Sequence, residues 1–364
     1  MVNMEEPKAT SKHTLCGYAW TDVTSSLQRT IGTTDMPRAL RWSSELVCSD
    51  LGLGRLEAIL FHAWAQHVGG ALPGWCRTWF VTIQHLRSFW KKSNGDIKSV
   101  RNTPIVRQLV AEAVATLVLA QKKPLPALPT ANDCFREAEA MRTRIRSGGG
   151  AGDQYCTRRI WVAGIDGEDL KTIGNELEAA LRTNQTQRLM FWIVWILTLD
   201  TQPDPPRAKD RGPAHLSLKQ RTSIVWFLVS LLKELANECA FLSVEERNGV
   251  FQTLELTWPK LGSRGRRDVL ASIGIAIMEE FAKKGSLRLT TQTTVPSHDA
   301  IRNATRSIDT IYSEIAEEAR RYVLEKPVMT GLTREAAKAI KAEKPKTVLS
   351  PVDKLQLSYS LQRF

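Results

Sequence analysis

The sequence predicts an all-α protein, and three observations carry that reading. Apolar residues recur at three- and four-residue spacing through most segments. The strict alternation that marks a half-buried strand is scarce, and Pro or Gly clusters divide the chain into pieces of helical length. With 43% hydrophobic and 24% charged residues in 364, the chain can bury a substantial core. Most of its eleven tryptophans lie in helix-spaced apolar segments, where they are expected to fill gaps between helices.

Residues 1–35 are mixed and polar and are expected to form a loose arm. Asp35 is placed to cap a helix whose first turn holds Pro37, with a short helix over 39–48 that Gly52 and Gly54 break. Leu56, Ile59, Leu60, Ala63, Trp64, His67 and Val68 then form one continuous stripe, ended by Gly69-Gly70 and Pro73. A helix over 76–91 presents Trp79, Ile83, Leu86 and Trp90 on one face, and Asn94-Gly95 marks a turn. Thr103 caps the next helix, with Pro104 at its first position and an apolar run to Ala120.

Prolines 124, 126 and 129 exclude a helix over 122–129, which reads as a semi-rigid connector. A short basic helix over 132–146, a flexible glycine hinge over 147–152, a strand or loop at 160–162 and a helix over 168–182 follow. Further helices are expected over 187–199, 218–239, 244–256, 266–283 and 297–324. The resulting organisation is two helical lobes, 36–122 and 187–326, joined by a connector over 123–186 that holds the Pro-rich and Gly-rich segments. The loose arm is 1–35, and 327–364 is a basic tail expected to be partly ordered.

The formal net charge of +12 favours polyanionic partners, either nucleic acid or an anionic membrane face. Membrane insertion is not expected: the apolar run over 189–199 falls far short of the roughly 20 residues a spanning helix needs. Cys16, Cys48, Cys76, Cys134, Cys156 and Cys239 form no CxxC and have no His at finger spacing, so no metal site is expected. That cysteine pattern, and a beginning without a charged-then-apolar leader, points to a reducing intracellular location rather than secretion.

Searches for chemistry exclude several classes. Neither Gly148–152 nor Gly262–267 ends in the Gly-Lys-Ser/Thr that a P-loop needs. His62 and His67 are five apart and point to different helix faces, and no GxSxG elbow occurs. No enzyme activity and no cofactor are therefore expected. The basic clusters remain: Arg142, Arg144 and Arg146 before the glycine hinge, Arg158 and Arg159 after it, and Arg264, Arg266 and Arg267 at a helix start. Arginines beside glycine suit phosphate contacts, and the amides of a helix N-terminus add positive potential; surface charge without a partner is the alternative for each cluster.

The run Trp42-Ser43-Ser44-Glu45-Leu46-Val47-Cys48-Ser49, with Ala39-Leu40 before it and Leu72-Pro73 after the striped helix, resembles an uncharacterised family shared by large double-stranded DNA viruses of algae and amoebae. Arg101-Asn102-Thr103-Pro104-Ile105-Val106-Arg107, Phe191-Trp192-Ile193-Val194-Trp195, Glu246-Arg247-Asn248 and Ile308-Asp309-Thr310-Ile311-Tyr312 fall in matching order, so the resemblance spans most of 36–325. Residues 39–120 are also similar, more distantly, to the helical collar of clamp-loader-type AAA+ ATPases, whose ATP-binding domain has no counterpart here. The resemblance implies a viral setting, in host cytoplasm or nucleus or in the virion; with the +12 charge, the Arg-Gly segment and the collar-like pattern, the expectation is a protein acting near the genome in replication, expression or packaging. Its expected partners are DNA or RNA, other viral proteins, and a second copy through the N-terminal lobe. The alternatives are a virion scaffold protein making only protein contacts, and an enzyme whose site is assembled from scattered residues.

Overall fold

The computed structural model describes residues 12–49, 52–144, 150–239, 242–284 and 295–325. Among them the only extended pairing is an isolated bridge between His13 and Ala19; the rest is helix and loop. The helices in chain order are Trp20–Gly32 (α1), Met36–Cys48 (α2), Gly52–His67 (α3), Trp75–Lys92 (α4), Ile97–Asn102 (α5), Pro104–Leu119 (α6), Ala131–Arg144 (α7) and Tyr155–Ile160 (α8). Glu168–Arg182 (α9), Thr186–Leu199 (α10), Leu218–Arg221 (α11), Val225–Glu238 (α12), Val244–Thr257 (α13), Ser263–Lys284 (α14), His298–Thr305 (α15) and Ile308–Glu325 (α16) follow. The all-α class expected from the periodicity is what the chain adopts.

The helices belong to two compact units that are not consecutive lobes. Unit 1 comprises residues 1–56, 89–115 and 302–364; unit 2 comprises 57–88 and 116–301. The boundary expected at 122–129 lies inside unit 2. There the backbone amides of Lys123 and Leu125 donate to the carbonyls of His67 and Gln66 at 2.8 and 2.9 Å, so the prolines lock an extended segment onto the end of α3. The Lys122 ammonium closes the end of α6 by donating to the carbonyls of Leu117, Val118 and Ala120.

In unit 1, α2 packs against α1, α5 and α16. The expected loose arm contains an ordered helix: α1 buries Val23, Leu27 and Ile31 at four-residue spacing. Its hydroxyl residues lower helix propensity but here bond back along the helix, Thr24 to the Trp20 carbonyl at 2.7 Å and Ser25 to that of Thr21 at 2.8 Å. Asp35 caps α2 as its spacing predicts, accepting the Arg38 amide at 3.3 Å ahead of Pro37. Beneath α2 lies a buried polar network. Arg41 bridges Glu45, at 3.3 Å, and Glu318 of α16; Glu318 also accepts the Tyr18 hydroxyl, and Glu45 accepts the Cys16 amide at 2.9 Å.

In unit 2, α10 is surrounded by α7, α9, α12 and α14. That placement explains its all-round apolar sequence, since every residue from 189 to 196 is buried. Among the described residues no helix is long and apolar enough to cross a membrane. The helix expected over 218–239 is interrupted, because Asp200 takes the Ser223 hydroxyl at 2.8 Å and the Ile224 amide at 3.2 Å and so starts α12 afresh. The helix expected over 297–324 divides likewise into α15 and α16, and of the strand or loop expected at 160–162, Ile160 closes α8 and 161–162 are loop. Against the start of α4, α13 packs so closely that a Cβ on Gly249 would lie 2.5 Å from the Arg77 Cα.

Candidate functional site

An arginine-lined cleft lies wholly within unit 1. Asp96 caps α5 by accepting the Lys98 and Ser99 amides, and Pro104 then starts α6, so Arg101 and Asn102 sit at the corner between the two helices. Arg107, one turn into α6, folds back on that corner. Its Nε donates to the Arg101 carbonyl at 2.7 Å, and its terminal nitrogens donate to Asn102 at 3.3 Å and Asp309 at 2.8 Å. The same guanidinium lies 4.6 Å above the Tyr312 ring. Arg101 donates to the Cys48 carbonyl at 3.2 Å.

From α16, Tyr312, Ser313, Ile315, Ala316, Ala319 and Arg320 complete a cleft of about 420 Å³. Three arginines line it, and the one carboxylate held against them, Asp309, is 71% exposed at its edge. Burial pushes the Cys48 thiol in its wall up to about 12, and Glu45 adds to that rise while Arg101 and Arg41 oppose it. Burial raises the Tyr312 hydroxyl as well, and its contact with the Ser44 hydroxyl opposes that rise.

The arginines singled out in the sequence are scattered. Arg146 and the side chains of Arg142 and Arg144 lie outside the described residues. Arg158 and Arg159 are exposed on α8, but Arg159 pairs with Glu234 and lies over the Tyr155 ring. In the third cluster Arg264 is 75% exposed, 3.6 Å from Asp268. Arg267 pairs with Asp268 at 3.2 Å, and Arg266 stacks on Trp258 and donates to its carbonyl at 3.3 Å. Arg266 and Arg267 are thus held by their own unit.

Two further clusters have catalytic residue types, and both are engaged internally. His62 Nε2 lies 2.9 Å from buried Asp268, which also accepts from Gln66 at 3.0 Å. Burial opposes ionisation of Asp268, but His62, Gln66 and Arg267 together hold its carboxyl below the usual range. Cys156, Glu178 and Glu238 bring three metal-type ligand atoms within 4.8 Å of one another. The Arg182 guanidinium already supplies the positive charge, donating to Glu178 at 2.8 Å and to Glu238 at 2.5 Å. The Cys156 thiol is pushed up by burial and donates to Glu238 at 3.1 Å, so it is held protonated. The residues present fit an arginine-closed structural cluster better than a cation site.

Known protein families, characterised proteins and solved structures give no match to this chain. Arg101, Arg107 and Arg320 are not legible as a group in the sequence, because the last stands on α16, more than two hundred positions after the others. The one local signal was the pair of arginines on either side of Thr103-Pro104.

Proposed function

We propose that this is a non-enzymatic, nucleic-acid-associated helical protein of a large DNA virus, acting in genome replication, expression or packaging. The observation that carries the reading is the net charge of +12, with arginines such as Arg158, Arg264 and Arg320 left exposed on the folded surface. A surplus of this size attracts phosphate backbones over a range set by ionic strength. The internal engagement of the Cys156 and His62 clusters favours binding over catalysis. The viral setting rests on the sequence resemblance.

The test is binding of the full chain to labelled single- and double-stranded DNA and RNA across a salt series. We expect affinity to fall steeply, by tenfold or more between about 50 and 200 mM salt, as several phosphates are contacted. R158E and R264E change exposed side chains and are expected to weaken binding and reduce the salt slope. Absence of binding at the lowest salt would overturn the reading in favour of a scaffold protein whose positive surface meets acidic protein partners.

A further inference from the structure

We propose that the arginine-lined cleft of unit 1 binds the phosphate group of a nucleotide, either free or at the end of a nucleic-acid strand. The inference deepens the nucleic-acid reading but stands on the cleft alone.

The first argument is charge. Three guanidinium groups line the cleft, and among the described residues only Asp309, at its rim, is in ion-pair contact with one of them. Arg101 bonds a neutral carbonyl, and Arg320 is exposed with no carboxylate within ion-pair distance among the described residues. Both forks therefore face the space with no carboxylate in ion-pair contact among the described residues, Asp96 acting on Arg101 only at longer range. A phosphate monoester, with its several acceptor oxygens, can take hydrogen bonds from more than one arginine at once.

The second argument is preorganisation. Arg107 is fixed by the Arg101 carbonyl, Asn102, Asp309 and the Tyr312 ring, so the cleft wall is set before a ligand arrives. A donor group already held in place loses little freedom on binding.

The third argument is size and lining. A volume of about 420 Å³ exceeds a bare oxyanion and falls in the range of small-ligand pockets. Exposed Ser313 and Ala316 of α16 line the rest of the space beside Arg101 and Arg320. A free inorganic ion would leave most of that space unfilled.

The experiment is calorimetric titration of the full chain with adenosine monophosphate, adenosine and pyrophosphate, followed by oligonucleotides of one sequence with a 5′-phosphate or a 5′-hydroxyl. We expect the monophosphate to bind and adenosine not to. Tighter binding of the 5′-phosphorylated strand than of the monophosphate assigns the site to strand ends; the reverse assigns it to free nucleotides. R320E is expected to weaken phosphate binding by about tenfold or more, the loss of one charge-assisted contact, with an unchanged unfolding midpoint. R320Q serves if the reversal disturbs folding. Equal binding of adenosine and its monophosphate, or an R320E affinity equal to wild type, overturns the proposal. Monophosphate binding without salt-dependent nucleic-acid binding would sink the broader functional reading alone, and the opposite result would sink only the cleft.

Discussion

Thr157 and Glu178 are joined twice: the Glu178 carboxylate accepts the Thr157 amide at 2.8 Å and its hydroxyl at 2.9 Å. The same carboxylate takes the Cys156 amide at 3.1 Å and two bonds from Arg182. A side chain from α9 thus caps the first turn of α8, a helix too short to be stable alone. Glu178 is fully buried, so its removal leaves the Cys156 and Thr157 amides without their acceptor, while Arg182 keeps Glu238. We expect E178A to lower folding stability by about 2–4 kcal/mol, read from the urea midpoint. A wild-type midpoint would show that the carboxylate does not hold α8.

Acid sensitivity follows from Asp166 and Asp268. Burial opposes ionisation of Asp166, but Arg211, at 2.8 Å, and the Lys209 and Val162 amides outweigh it and hold its carboxyl below the usual range. A carboxylate depressed in the folded state stabilises fully above its unfolded pKa of about 3.9, and the gain disappears as pH falls through the lower folded value. Stability should therefore drop below about pH 4. D166N should be less stable at neutral pH and show a shallower acid-side decline. An identical decline in D166N would locate the sensitivity elsewhere.

Gly249 is a test of close packing. Alanine ordinarily favours a helix interior over glycine by about 1 kcal/mol. Here an added Cβ would also lie 2.9 Å from the Arg77 nitrogen, against backbone rather than a yielding side-chain tip. We expect G249A to destabilise by about 1–3 kcal/mol, measured as a lower thermal midpoint. A gain in stability would mean that α13 moves away from α4 without penalty.

All six cysteines are free and buried. Burial raises the Cys16, Cys48 and Cys156 thiols, which suppresses the reactive thiolate. The native protein should react slowly with a disulfide reagent such as Ellman's, and all six thiols should react once it is unfolded in denaturant. One fast thiol in the native state would contradict the assigned burial.

What could be read in the sequence was what local spacing decides. The bounds of α9 coincide with the expected 168–182, and α10 begins within one residue of expectation, because continuous apolar stripes end at recognisable polar residues. Features that depend on a distant partner were not legible. The break before α12 needs Asp200, the burial of α1 needs α2, and the membership of unit 1 needs α16 to return to residues near the start. The same limit governed the charges. Arg264, Arg266 and Arg267 are visible as a cluster, but Trp258 and Asp268 engage two of them in the folded chain. Arg320 meets Arg101 and Arg107 only after folding.

The arrangement of unit 1 also imposes an order on synthesis. A ribosome delivers α1 and α2 first, yet the carboxylate of Glu318 that joins Arg41 and Tyr18 emerges hundreds of residues later. Until then the buried-to-be guanidinium of Arg41 has only Glu45 beside it in the network, and α2 waits with its α16-facing side open. All segments of unit 2 have left the peptidyl-transferase centre by residue 301, before α16 is made. The nascent chain therefore holds its earliest helices incomplete longest, and a chain cut short before α16 would leave the α16-facing side of α2, with Arg41 on it, uncovered.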